Sequence, residues 1–264
     1  MLTLRSAGML VLGAAAGTGC VNLESPAPPT PPQLVVHAVL DASADQQFLL
    51  LYRARTGQPS STGSNSHDQP IGGATVTVTA PNGRVMTANE LAPDSTPFPP
   101  GSYAFTPQRY GVTVATGGTY SLHIRIPSGE VVSGTTTIPV VPASSTRVPP
   151  ELFFRLRDTL RLGWPHVRGT RSYEVVISPY LSSQYRTFFD TTVAVPGTAL
   201  TVTGDPIFLR GTMNVVVSAV DENYYDYYRG QSDPFASGTP THLTGAVGVF
   251  GSIAPLLVRR VLVR

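Results

Sequence analysis

Short runs in which apolar and polar residues alternate recur along this chain. In "LVVHAVL" (34–40), Leu34, Val36, Ala38 and Leu40 fall on one face. "ATVTVTA" (74–80) sets Val76 and Val78 against Thr75, Thr77 and Thr79. "YSLHIRI" (120–126) sets Tyr120, Leu122, Ile124 and Ile126 against His123 and Arg125. Successive side chains point to opposite faces of a strand, so this pattern predicts antiparallel sheet with one face on a core. Turn signals separate the runs: "PNG" at 81–83, "TGG" at 116–118 and "PSG" at 127–129. The proline-rich "PVVPASSTRVPP" (139–150) interrupts the pattern. Alternation then resumes in "DTLRLGW" (158–164), "SYEVVIS" (172–178), "DTTVAV" (190–195), "ALTVT" (199–203), "MNVVVSAVD" (213–221) and "LLVRRVLVR" (256–264). The expected fold class is all-β, with two antiparallel β-sandwich domains at 33–142 and 151–264 joined by a linker at 143–150.

The first residues read differently. Met1 and Arg5 precede an apolar run from Ala7 to Ala16, then Gly17, Thr18, Gly19 and Cys20. A short positive start, a short apolar core and small residues before a cleavage point predict a secretory signal over 1–19. The run is shorter than the ~20 apolar residues a bilayer span takes. Cys20 is the only cysteine, so no internal disulfide exists to explain it. The segment resembles a bacterial lipobox, which implies that Cys20 is lipidated and becomes the mature N-terminus. Gly17 stands where that pattern usually has Leu. The other reading is an ordinary signal cut near Ala16 that leaves a free thiol. The following "SPAPPTPP" favours an extended, semi-rigid spacer. At ~3.1 Å per residue, residues 21–32 hold a domain up to about 37 Å from a membrane. Val21 rather than Asp follows the cysteine, which by the same resemblance implies sorting to the outer membrane, on its periplasmic or its outer side.

Two further resemblances bear on the sandwiches. Trp164, the turn "HVRGT", the Tyr173-led strand and "NVVVSAVDENYY" are similar to a fibronectin type III domain. "PIGGATVTVTAPNGR" and "GTYSLHI" resemble small sandwich domains of the prealbumin and carboxypeptidase-regulatory type. The whole order ends in "GAVGVFGS", with Gly245, Gly248, Phe250 and Gly251. In that order the chain resembles an uncharacterised lipoprotein family, domain of unknown function 4249. The resemblance implies a non-catalytic outer-membrane lipoprotein acting as accessory or ligand-binding partner of a TonB-dependent receptor. A structural or adhesion module of the envelope is the alternative.

Composition narrows the chemistry. With 18 Lys+Arg against 16 Asp+Glu, the formal charge is +2, and nothing forms the basic stripe that a nucleic acid needs. Every basic residue is Arg. The five histidines, His37, His67, His123, His166 and His242, include no pair at metal-ligand spacing. No second Cys completes a zinc site, and no GxSxG elbow or phosphate loop occurs. No cofactor, metal or catalytic set is therefore expected. His37 and His123 fall on faces opposite the apolar residues and are expected to be solvated or covered by loops. Asp158, Asp190, Asp221 and Asp233 border strands, where Asp serves turns. "GAVGVFG" lacks dinucleotide-fingerprint spacing, and its glycines suit close backbone packing around Phe250.

One segment departs from the pattern. "DENYYDYYRG" (221–230) groups Tyr224, Tyr225, Tyr227 and Tyr228, and a helical turn puts Tyr224 and Tyr228 on one face. Tyrosine joins a rigid apolar body to a polar tip, which suits carbohydrate or peptide recognition. Tyr180 and Tyr185 in "PYLSSQYRTFF" are the companion contact candidates. The other reading has the quartet capping the second sandwich and packing on the C-terminal tail. The long polar stretch "RARTGQPSSTGSNSHDQP" (53–70) is read as a disordered or partner loop.

Overall fold

The computed structural model describes residues 32–54, 69–92, 98–141, 153–154, 160–164, 167, 170, 172–179, 187–190, 199–202, 211–232 and 241–263. The expected signal segment, Cys20 and the expected spacer after it, residues 55–68 of the expected loop, the expected linker at 143–150, Tyr180 and Tyr185 lie outside the described residues. In chain order the strands of the first half are β1 (Gln33–Asp41), β2 (Gln47–Ala54), β3 (Gln69–Pro70), β4 (Thr75–Thr79), β5 (Val85–Glu90), β6 (Ser102–Phe105), β7 (Thr119–Arg125) and β8 (Val131–Thr137). The second half has β9 (Phe153–Phe154), β10 (Leu160–Gly163), β11 (Ser172–Pro179), β12 (Thr187–Asp190), β13 (Ala199–Val202) and β14 (Gly211–Val220). The helix α1 (Glu222–Ser232), β15 (Leu243–Thr244) and β16 (Val247–Val263) follow. Among the described residues the fold is all-β but for α1 and a short 3-10 turn at Pro107–Tyr110.

The strand order β12-β11-β14-β16-β1-β2-β6-β5-β4-β7-β8-β15 runs through one curled sheet. It turns its corner at β5, which pairs with β4 through Val85–Ala88 and with β6 through Asn89 and Glu90. The curl lays two apolar faces together as a sandwich. Leu34, Val36, Ala38 and Leu40 of β1, with Leu49 and Leu51 of β2, form one wall. Val76 and Val78 of β4, with Tyr120, Leu122 and Ile124 of β7, form the other. Fully burying one such aliphatic side chain contributes about 1.5–3 kcal/mol. His123 and Arg125 point to solvent, as alternation requires. The three turn signals fall at the β4–β5, Thr116–Gly117 and β7–β8 turns; Gly83 of "PNG" has φ +80°, open to glycine at little cost.

Burial reaches further in β1 than alternation predicts. Val35 is fully buried on the opposite face, beside Leu50, Tyr52 and Ala54. β1 lies inside the sheet, between β2 and β16, and Val35 is flanked there by Leu50 and Tyr52 of β2 and Val247 of β16. β16 pairs in parallel with β1 from Val35↔Val247 to Asp41↔Ile253. It pairs antiparallel with β14 from Gly211↔Val263 to Val220↔Ile253. The Gly-rich segment and "LLVRRVLV" are thus one strand, with strands of both halves of the chain beside it. The β14 register shifts at Val217/Ser218, opposite Pro255, where a residue without an N–H cannot continue the ladder.

Buried tyrosines fasten loops to this frame. Tyr103 Oη donates to Ile71 O (2.8 Å) and accepts from the Ala74 N–H (3.1 Å). Burial pushes its phenol pKa up. Tyr120 Oη accepts from the Ala115 N–H (3.0 Å), and Tyr173 Oη accepts from the Val167 N–H (2.6 Å). Trp164 is buried edge-on against Tyr173, with ring centroids 5.7 Å apart.

Candidate functional site

The side chains singled out by the tyrosine segment come together on α1, where it crosses β16 and the edge of β8. Asp221 starts the helix. Its Oδ1 accepts from the Tyr224 N–H (3.0 Å), the N-cap bond that satisfies an orphan donor of the first turn. The same Oδ1 accepts from the Ser252 N–H (3.0 Å) of β16. Oδ2 accepts from Thr136 Oγ1 (2.6 Å) of β8. One buried carboxylate therefore ties helix, β16 and β8. Its pKa is raised: burial outweighs the bonds from Thr136, Ser252 and Tyr224 and the charge of His242, all of which lower it.

Neighbouring groups complete a polar seam between β8 and β16. Asn223 Nδ2 donates to Thr135 O of β8 (2.6 Å) and to Phe250 O of β16 (2.8 Å). Ser252 Oγ donates to Thr137 O (3.1 Å). These bonds occupy carbonyls on the edge of β8, which pairs with β15 only at Ser133 and Gly134. The glycines of "GAVGVFGS" make the approach close. A Cβ on Gly248, at φ +110°, would lie 2.0 Å from Val36 O. One on Gly251 would lie 2.9 Å from the Tyr224 N and 3.1 Å from Asp221 Oδ1. Phe250 between them is 1% exposed in the sandwich core.

The tyrosine quartet packs along the inner side of the helix. Tyr224, Tyr225 and Tyr227 are 6%, 9% and 1% exposed, and Tyr228 is half-buried. Tyr224 and Tyr228, one turn apart, have ring centroids 4.4 Å apart. Tyr224 Oη donates to buried Glu174 of β11. Tyr228 Oη and His37 Nε2 of β1 are 2.8 Å apart. The rings of Tyr227 and Tyr228 meet the His37 imidazole edge-on at 5.9 and 6.1 Å. The helix α1 thus packs over half-buried His37, a neighbour the alternation of β1 did not announce. On the outer side Asp226 and His242 pair at 2.9 Å.

The sequence pattern located the tyrosines and the glycines but not Asp221, Glu174, Thr136, Asn223 or Ser252 as their partners. An Asp directly before a helical run is a cap signal and marks Asp221. Glu174 on a face shared with valine-flanked positions of "SYEVVIS" offers a weaker one. Thr136, 85 residues away, carries no local signal. Among the described residues no three His, Cys, Asp or Glu side chains gather as metal ligands. No helix among them is long and apolar enough to cross a membrane.

A family model described as a domain of unknown function, DUF4249, matches residues 21–255. The chain belongs to the DUF4249 family. The match opens directly after Cys20 and closes within β16, so it takes in the sandwich, α1 and the glycine strand of this DUF4249 protein. No curated protein matches it. Solved structures similar to it include the chicken CNTN1 FN1-FN3 domains, at 15% identity and a TM-score of 0.25. That comparison covers 88% of this chain and 66% of the other, so the DUF4249 chain spans just under two thirds of its length. The complex of Dpr11 IG1 with DIP-gamma IG+IG2 is similar at 8% identity, covering 89% and 98%, with a TM-score of 0.21. Scores this low carry no argument about function, and the all-β fold stands on the strands themselves.

Proposed function

We propose that this DUF4249 protein is a non-catalytic lipoprotein of the bacterial outer membrane, tethered through Cys20, that serves as accessory or ligand-binding subunit of a TonB-dependent receptor. One observation carries the non-catalytic half of this reading. Three titratable side chains at α1 hold the helix to the sheet: Asp221 to β8 and β16, Tyr224 to β11 through Glu174, and Tyr228 to β1 through His37. Groups placed that way fix a scaffold and leave recognition to its surface. The membrane half of the reading is supported by the small residues before Cys20, the proline spacer after it, and a family match that begins at residue 21. The receptor partnership is supported by the resemblance of the overall order of segments.

The test is affinity purification of the full chain from detergent-solubilised outer membranes, with mass spectrometry of the eluate and of the mature N-terminus. The expected result is a large β-barrel receptor in the eluate and an acylated peptide beginning at Cys20. A clean eluate with acylated Cys20 overturns the partnership and favours a free-standing envelope module. A mature chain that begins before Cys20 overturns the anchor.

A further inference from the structure

The turn between β4 and β5 contains Asn82-Gly83, the one Asn-Gly pair in the sequence. The other five asparagines, Asn22, Asn65, Asn89, Asn214 and Asn223, precede Leu, Ser, Glu, Val and Tyr. An asparagine can close a five-membered ring when the backbone nitrogen of the next residue attacks its Cγ. A side chain on that next residue hinders the closure, and glycine has none. Pro81, Asn82, Gly83 and Arg84 are all exposed. Even a Cβ built on Gly83 would meet nothing within 4 Å, so solvent reaches the reacting atoms.

The turn also orients those atoms. The Ala80 N–H donates to Arg84 O (2.8 Å) and the Gly83 N–H to Ala80 O (2.9 Å), which closes the hairpin. The Arg84 N–H donates to Asn82 Oδ1 (3.1 Å). The Asn82 amide is therefore folded back along its own backbone, across Gly83, rather than extended into water. That brings Cγ toward the Gly83 nitrogen, the proximity that favours an intramolecular step. The same Arg84 N–H points at the oxygen that becomes an oxyanion when Cγ turns tetrahedral. One bond opposes the step, because the Gly83 N–H must leave Ala80 O before its nitrogen attacks. That bond lies at the exposed tip of a hairpin, where local opening costs least.

We infer that Asn82 is a self-modification site, at which the folded protein deamidates without an enzyme. The Gly83 nitrogen loses its proton to solvent and bonds to Asn82 Cγ. The Cγ–Nδ2 bond breaks, and Nδ2 takes up a proton and leaves as ammonia. The succinimide so formed consumes one water. Attack of that water at Cγ gives aspartate; attack at the Asn82 backbone carbonyl carbon gives isoaspartate, in which the chain runs through Cβ and Cγ. Water is the only reactant consumed and ammonia the only molecule released. Either product adds a carboxylate and lowers the formal charge from +2 to +1. Val78 and Met86, the core residues that flank the turn, stay buried, so the change is a time-dependent mark on the surface.

The test incubates the full chain at neutral and at mildly alkaline pH. Aliquots are cleaved after arginine and read by mass spectrometry, and isoaspartyl methyltransferase labels the isoaspartate. The peptide that contains Asn82 is expected to exchange an NH2 for an OH progressively, and faster at alkaline pH because the attacking nitrogen must lose its proton. Asn82→Gln, which would need a six-membered ring, is expected to lose the label. The mass reading on the unaltered chain locates the site whether or not that variant folds. The urea-unfolded chain is the reference. An Asn82 peptide that stays intact in the folded chain while the unfolded chain converts overturns the inference, because the turn then protects the residue. Earlier conversion at any other asparagine, or a label that persists in Asn82→Gln, overturns it as well.

Discussion

Replacing Asp221 by Asn and by Ala separates what its charge does from what its shape does. In Asp221→Asn, Oδ1 still accepts from the N–H groups of Tyr224 and Ser252. The new Nδ2 takes the place of Oδ2 and donates to Thr136 Oγ1, whose hydroxyl turns to accept. All contacts survive, and no charge is desolvated. In Asp221→Ala the helix loses its cap, at about 1 kcal/mol. The buried Ser252 N–H is orphaned at a further ~1–3 kcal/mol. The expected loss is about 2–4 kcal/mol, or roughly 5–15 °C in melting temperature for a chain of this size. The pH dependence follows from the raised pKa of Asp221. Between its ordinary value of 3.8 and the raised folded value, the folded state holds a proton that the unfolded state has released. Stability from this group therefore falls as pH rises through that window and is flat above it. Asp221→Asn has no such loss. It is expected to match the parent below the window and to be at least as stable above it. Urea unfolding followed by circular dichroism between pH 4 and 8 measures the difference. If Asp221→Asn loses as much as Asp221→Ala at neutral pH, or if its difference from the parent does not grow with pH, the reasoning about a desolvated carboxylate is wrong.

Other substitutions probe the same region. Gly248→Ala forces a Cβ to 2.0 Å from Val36 O at a positive φ, and the full chain is expected not to fold, read as insoluble expression. Gly251→Ala meets Tyr224 and Asp221 at 2.9–3.1 Å and is expected to fold with a lowered melting temperature and faster amide exchange in α1. Tyr227→Ala empties a site that is 1% exposed and is expected to cost about 3–5 kcal/mol in denaturant titration. A Tyr227→Ala chain that keeps its stability but loses a bound receptor or sugar would instead make the tyrosines a recognition platform. Arg53→Gln removes an ion pair with Glu130 at the surface and is expected to change stability by under about 1 kcal/mol, less at high salt.

Local pattern determined a good deal of this protein by itself. The alternation at 74–80 and 120–126 specified which residues face the core, because a strand has a period of two and one buried face leaves one register. The turn at "PNG" followed from residues that tolerate its dihedral angles. The helical spacing of Tyr224 and Tyr228 was legible in the same way. Only the tertiary structure decided the rest. The second face of β1 is partly covered because α1, nearly two hundred residues later, packs on His37 and Val39, and alternation in β1 carries no trace of that neighbour. Asp221 looked like a turn residue; its partners Thr136 and Ser252 lie 85 and 31 residues away, and their meeting depends on how the sheet curls. The glycines of "GAVGVFGS" were visible in the sequence, while what each must avoid was not: the Val36 carbonyl for Gly248 and the first turn of α1 for Gly251. A hydrogen bond or a steric limit between distant segments depends on three-dimensional approach, and a one-dimensional pattern records only the residue that can take part.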